Sequence, residues 1–256
     1  MILAIDVGNT NITLGGYADD KIQFISRLST DSRRTADQYA VELSALLALN
    51  QVDPAAIHGA ILGSVVPSLN ATLCAAVEKV TGVVPLTVGS GIKTGLNIKI
   101  DDPAQTGADL VCGGVAALAK YPMPCIIFDL GTATTISVLN HKGEFSGGTI
   151  AAGIGISLDA LSSRTSQLPH VSLKNPGKVV GTNTVNAMKS GLIYGTASMM
   201  DGMADRIEEE LGMPATLVAT GGRAGEVIPY CKREILLDDN LLLDGLRIIF
   251  EKNQGK

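Results

Sequence analysis

The chain has 256 residues, of which 46% are hydrophobic and 18% charged, and its formal net charge is −5. That balance supports a sizeable core and excludes a disordered chain. With no basic run or stripe, it also excludes nucleic acid and anionic membrane as partners. Aromatics make up only 4% and Trp is absent, so the core has to be built from Ile, Leu, Val and Ala. The opening MILAIDVGNT lacks the basic stretch of a secretory leader. Four separated cysteines without a Cys-x-x-Cys read as reduced thiols. A cytoplasmic location is the expectation.

The first elements read as a hairpin. Ile2 to Asp6 is an apolar run ending in an acid and a Gly-Asn turn, Asn11 to Tyr17 returns, and Lys21 to Leu28 makes a third strand. Thr35 to Leu49 has helical spacing through Tyr39, Leu43, Leu46 and Leu47. Ala60 to Val65 is a buried strand stopped by Pro67, and the spacing predicts a helix over Ser68 to Thr81 with Ser68 as its cap. A short strand at Pro85 to Val88 leads into an irregular polar stretch, Gly89 to Thr106. A helix follows to Lys120, and Pro122 and Pro124 then break the chain. The domain boundary is drawn at this break, giving domains 1–118 and 119–256.

After the break the opening pattern returns. Cys125 to Phe128 is apolar, Asp129 and Gly131 follow, then threonines, then Ile136 to Leu139. Each half begins with strand, acid, x, Gly, turn, strand, a long-range repeat that points to two related α/β domains facing one another. Gly147 to Ser157 reads as a glycine-rich stretch, Ser157 to Arg164 as a helix and Thr184 to Leu211 as a long helix. Thr216 to Ala219 is a strand running into Thr220-Gly221-Gly222, and Leu241 to Phe250 is an amphipathic last helix.

The repeated turns carry the chemistry. Phosphates need donors and a close backbone. Gly8 bares the amides of its turn, Asn9, Thr10 and Asn11 add side-chain donors, and Asp6 is placed to hold the hydration shell of a Mg²⁺ bound to ATP phosphates. The same string also suits an ordinary hairpin. The second copy favours function: Thr132, Thr134 and Thr135 offer hydroxyls beside Gly131, and two such hairpins across a cleft would grip the β- and γ-phosphates. Thr220-Gly221-Gly222 offers a backbone against which adenine or ribose can lie. No Walker lysine motif or protein-kinase signature set occurs. Phosphoryl transfer further needs a group to take the acceptor's proton. Asp109, at the start of a predicted helix, is the candidate base, although a helix N-terminus also favours an acid for its dipole alone. Asp101 and Asp102 read as a loop acid and a cap. His58, His141 and His170 lie far apart and read as surface residues.

Asp6-Val-Gly-Asn-Thr-Asn11, Gly107-Ala-Asp109, Asp129-Leu-Gly-Thr-Ala-Thr-Thr135, Gly147-Gly-x-Ile150, Gly153, Ser157 to Leu161 and Gly181-x-Asn-Thr184 occur in this order over nearly the whole chain. Together they resemble type III pantothenate kinase. The resemblance implies two ribonuclease-H-like (actin-like ATPase) domains around a central cleft, and a homodimer. It implies transfer of phosphate from ATP to pantothenate, giving 4′-phosphopantothenate, the first step of coenzyme A synthesis. It further implies that Asp6, Val7, Gly8, Asn9, Thr10, Asn11, Ile12, Thr13 and Thr132 hold ATP with Mg²⁺. Asp129 would bind a monovalent cation, K⁺ or NH₄⁺, and Asp109 would be the base. Gly107, Ala108, Asp109, Leu110 and Thr184 would line the pantothenate site, Thr184 from the partner subunit. The family commonly has Arg where this chain has Leu110, Tyr where it has Ile100, and Pro where it has Ala152. A leucine cannot form the forked contact that a guanidinium makes with a carboxylate. Two other readings are therefore carried: a kinase for another small hydroxylated metabolite, and a catalytically silent nucleotide- or metabolite-binding relative.

Overall fold

A computed structural model describes residues 1–174 and 176–254. The chain divides into two compact units. The first comprises 1–96, 102–116 and the C-terminal segment from Leu241, and the second comprises 97–101 and 117–240. Among the described residues, no helix is long and apolar enough to cross a membrane.

The first unit holds β1 (Ile2–Val7), β2 (Asn11–Ala18), β3 (Lys21–Ser29), α1 (Ala36–Leu49), β4 (Gly59–Ser64), α2 (Pro67–Thr81), β5 (Leu86–Thr87) and most of α3 (Ala108–Lys120). Its sheet order is β3-β2-β1-β4-β5. β1 pairs antiparallel with β2, so that Asp6 faces Thr13, and parallel with β4, so that Asp6 faces Gly63. Alternation sorts the side chains of β1. Leu3, Ile5 and Val7 join Tyr39, Leu43 and Leu47 of α1 and Leu69 and Leu73 of α2 in one core. Asp6 points to the opposite face. Burial of each such aliphatic side chain stabilises the unit by about 1.5–3 kcal/mol.

The second unit holds β6 (Cys125–Leu130), β7 (Ala133–Leu139), β8 (Phe145–Ala152), α4 (Ile154–Arg164), α5 (Thr184–Leu211), β9 (Thr216–Thr220), α6 (Ala224–Val227) and β10 (Leu236–Leu237). Its sheet runs β8-β7-β6-β9-β10. β6 is antiparallel to β7, with Asp129 opposite Thr135, and parallel to β9, with Asp129 opposite Thr220. Ile126, Phe128 and Leu130 pack with Leu158 of α4 and with Met188, Leu192, Ile193 and Met200 of α5. The repeat in the sequence is thus a repeat of topology: each sheet has an acid-ended strand flanked by an antiparallel hairpin partner and a parallel neighbour.

Several elements differ from the sequence reading. Pro67, not Ser68, opens α2; Val66 holds the cap position without a side-chain bond, because proline needs no N–H at the first helical position. The glycine-rich stretch is mostly strand: β8 runs to Ala152, and a Cβ at Gly148 would strike the Ile136 carbonyl of β7. The following helix begins at Ile154 behind Gly153, three residues before Ser157. α7 (Leu241–Asn253) belongs with the first unit, whereas the boundary drawn from sequence kept it with the second half. Its Leu246 side chain fills the space beside Gly63, where a Cβ would lie 2.9 Å from Leu246 Cδ2.

Candidate functional site

In the first unit the candidate site residues lie at the carboxyl end of β1 and the start of α3. The turn after β1 is closed by the Gly8 N–H, which donates to the Asn11 carbonyl at 2.9 Å. A Cβ at Gly8 would sit 3.1 Å from that carbonyl, so the tight turn favours glycine. Asn9, Thr10 and Asn11 are exposed, whereas Asp6 and Thr13 are half-buried. Val7 and Ile12 are 0% and 1% exposed, so both belong to the core rather than to the surface of the turn.

Asp109 lies in the first turn of α3 and is half-buried. The Leu110 N–H donates to its Oδ1 at 2.8 Å. Burial pushes the Asp109 carboxyl above its ordinary value, and hydrogen bonds from the backbone only partly offset this. Gly107 makes room for the carboxylate, since a Cβ there would meet Asp109 Oδ1. One turn along α3, Cys112 is 2% exposed. Its thiol is raised well above the ordinary range by burial and by the charges of Asp6 and Asp109. The thiol therefore stays protonated and is no nucleophile.

The second unit builds its turn differently. Asp129 is the last residue but one of β6, and the Gly131 N–H donates to the Ala133 carbonyl at 3.1 Å. Two backbone segments press on this turn. A Cβ at Gly221 would meet Asp129 Oδ1 and lie 2.6 Å from Leu130 N, and one at Gly153 would lie 2.6 Å from the Gly131 carbonyl and would meet that of Thr132. Gly221 has φ +92°, which glycine adopts freely. On the side where a Cβ would stand, Gly221 thus lies against β6, while nothing lies within 4 Å of a Cβ at Gly222. Thr132 is exposed, but Thr134 is only 1% exposed, so its hydroxyl is not presented as expected. Among the described residues no group of three or more His, Cys, Asp or Glu forms a metal cage. A divalent ion held by one carboxylate and substrate phosphates needs none.

Thr184 is exposed at the first turn of α5, whose Asn183 cap accepts the Asn186 N–H at 2.9 Å. Gly107, Ala108 and Leu110 are half-buried around the start of α3. Ile100 belongs to the second unit, with Cγ2 3.8 Å from the place of a Cβ on Gly147. Asp102 caps a 3₁₀ turn through the Ala104 N–H at 3.1 Å, and His58, His141 and His170 are exposed, as the sequence reading had them.

A family model described as type III pantothenate kinase matches residues 2–206. The chain belongs to the type III pantothenate kinase family. A type III pantothenate kinase of Koribacter versatilis is 44% identical, covering 100% of this chain and 97% of its own length. One of Moorella thermoacetica is 43% identical, covering 99% and 100%. Among solved structures, a conserved putative Baf family transcriptional activator from Campylobacter jejuni aligns with a TM-score of 0.59 at 18% identity, covering 98% of each chain. A ROK family glucokinase from Streptomyces griseus, in complex with glucose and AMPPNP, aligns at 0.52 and 13%, covering 99% of each. These likenesses show the two-domain actin-like ATPase fold. This family member is a kinase, a phosphotransferase that uses ATP and a divalent metal.

Sequence reasoning missed two parts of the site. Gly153 was noted only as a motif residue, and its contact with the Gly131–Thr132 turn shows in no local pattern. Thr30 was passed over altogether. It follows β3, and its hydroxyl donates to the Gly8 carbonyl at 2.7 Å.

Proposed function

We propose that the protein moves the γ-phosphate of ATP to the hydroxyl of pantothenate, with Asp109 as the general base. The observation that carries this reading is the state of Asp109. It is a half-buried carboxylate with raised basicity at a helix start, its Oδ1 held by the Leu110 N–H, beside a thiol that stays protonated. A base of this kind accepts the acceptor's proton as the phosphorus–oxygen bond forms, and contributes about 10²–10⁴ to the rate. The turn at Asp6 to Thr13 and Thr132 would hold the nucleotide, through backbone amides and exposed side-chain donors. Asp6 would carry the hydration shell of Mg²⁺, which when bound neutralises charge on the phosphates. Gly107, Ala108 and Leu110 would line the acceptor site, and Thr184 would reach the acceptor bound to the partner subunit.

Asp129 would hold a monovalent cation. Its carboxylate is bordered by the backbone of Gly131 and Gly221, so further partners would be peptide oxygens, which can ligate K⁺ or accept hydrogen bonds from NH₄⁺. A homodimer is supported by apolar side chains left open on the second unit: Ile150, Ile156, Val179, Val180 and Val185 are all exposed. Nothing within 4 Å would meet a Cβ at Gly191 or Gly195 of α5, so these glycines serve no close packing inside the chain. A cytoplasmic location is the reading in keeping with four free cysteines.

The test is a coupled ADP-release assay with Mg²⁺ and K⁺, run with pantothenate and with a panel of other hydroxylated metabolites. Release that depends on pantothenate, at roughly 1–100 s⁻¹, is the expected result. Strong release with another acceptor and none with pantothenate would replace the substrate. Nucleotide binding without release on any acceptor would favour the silent relative.

A further inference from the structure

We infer that Thr30, which lies outside every motif of the site, is a positioning residue for ATP binding. Its hydroxyl and its N–H together aim the amide of the Gly8 turn. This rests on the reading that the Asp6 to Thr13 turn holds the nucleotide.

The Thr30 side chain donates to the Gly8 carbonyl at 2.7 Å, and the Thr30 N–H donates to the Thr10 carbonyl at 3.0 Å. One residue beyond the end of β3 thus takes up two of the turn's acceptors. The peptide unit is planar and trans, so the C=O of one residue and the N–H of the next point in opposite directions. Fixing the Gly8 carbonyl toward Thr30 therefore fixes the Asn9 N–H away from it. Asn9 is an exposed residue of the turn, and its amide is the donor whose direction this bond sets. The Gly8 N–H is already used by the Asn11 carbonyl at 2.9 Å. The direction of the Asn9 donor is thus set by a residue more than twenty positions away in the chain.

Thr30 is itself held from the core. The next residue, Asp31, gives its N–H to the Tyr39 hydroxyl at 3.0 Å, and that hydroxyl donates to the Asp31 carbonyl at 3.0 Å. Tyr39 is 1% exposed in the core beneath α1. The brace runs from a buried phenol to Asp31, then Thr30, then the turn. A phosphate carries its charge on oxygens that accept from backbone amides. If the Gly8 carbonyl swung round instead, it would meet that phosphate as one acceptor facing another. A site that recognises phosphate through amides needs its carbonyls turned away, and Thr30 does this for Gly8.

Thr30→Val keeps the β-branched shape and the backbone N–H and removes only the hydroxyl. Thr30→Ser restores the hydroxyl. Both variants are compared with the full-length wild type in steady-state kinetics, and AMPPNP binding is measured by calorimetry. The expected result for Thr30→Val is a KM for ATP and a dissociation constant for AMPPNP raised roughly threefold to tenfold, the worth of one neutral hydrogen bond. Its KM for the acceptor should stay within about twofold, and Thr30→Ser should recover most of the loss. A Thr30→Val enzyme that binds AMPPNP as the wild type does would overturn the role of Thr30 and leave the ATP reading standing. So would one whose two KM values rise together, or whose loss serine does not recover. A wild type that binds no AMPPNP would overturn both.

Discussion

Gly221→Ala is the substitution whose cost can be worked most directly from the packing around Asp129. Gly221 follows β9 at φ +92°, and a Cβ there would meet Asp129 Oδ1, Leu130 N at 2.6 Å and Leu130 C at 2.7 Å. Two of these three are backbone atoms of a central strand, so relief requires β9 and β6 to separate or the turn to reform. A residue with a Cβ pays about 1–2 kcal/mol for left-handed backbone. Overpacking a filled site adds about 1–3 kcal/mol. Together the expected loss is about 2–5 kcal/mol, which lowers the thermal midpoint by about 5–15 °C for a chain of this size. Gly222→Ala is the control, since nothing lies within 4 Å of a Cβ there, and it should stay within about 0.5 kcal/mol of the wild type. Urea melts followed by circular dichroism give both values. Because the alanine would press on the Asp129 carboxylate, Gly221→Ala should also weaken activation by K⁺ below its own melting range. The packing argument fails if Gly221→Ala melts with the wild type, or if Gly222→Ala loses as much.

Three further predictions come from the same geometry. Burial raises the Asp109 carboxyl in the folded protein, so its ionised form costs stability. The cost appears as pH rises past the unfolded value of about 3.9 and is complete above the folded one. Asp109→Asn should therefore melt no lower than the wild type at pH 7, with any gain fading toward pH 4; a melt that shows the opposite trend counts against a desolvated acid. Gly107→Ala puts a methyl group where Asp109 Oδ1 lies, so kcat should fall by more than tenfold while AMPPNP affinity in calorimetry is unchanged. Asp129→Ala should abolish the response of turnover to K⁺; a variant still activated by K⁺ would place the cation elsewhere.

How much of this was legible in the sequence depended on how local the cause was. The two acid-x-Gly turns were legible because each hairpin is built from adjacent residues, and the repeat itself marked them. The bounds of α5 could be read because its cap at Asn183 and its left-handed Gly212 stop are written in the chain. β8 was hidden because Gly147 and Gly148 have loop-like composition; the reason for Gly148 is a carbonyl of β7, a neighbour in space. The amphipathic pattern of α7 told that one face is buried, but not that Leu246 would fill the gap beside Gly63 in the first unit. Asp6, Asp109 and Asp129 stand out in the sequence through their motif strings, as the residues proposed for the site. The backbone pressure of Gly153 and Gly221 on the second turn, and the reach of Thr30 to Gly8, were not legible, because tertiary contacts create them.

The central claim is that Asp109 takes the proton of the pantothenate hydroxyl. It is tested most directly by ADP release from Asp109→Asn with saturating ATP, Mg²⁺ and pantothenate, alongside AMPPNP calorimetry on the same preparation. The account predicts turnover reduced by about 10²–10⁴ with nucleotide affinity and melting midpoint retained. Turnover within a few-fold of the wild type would contradict it.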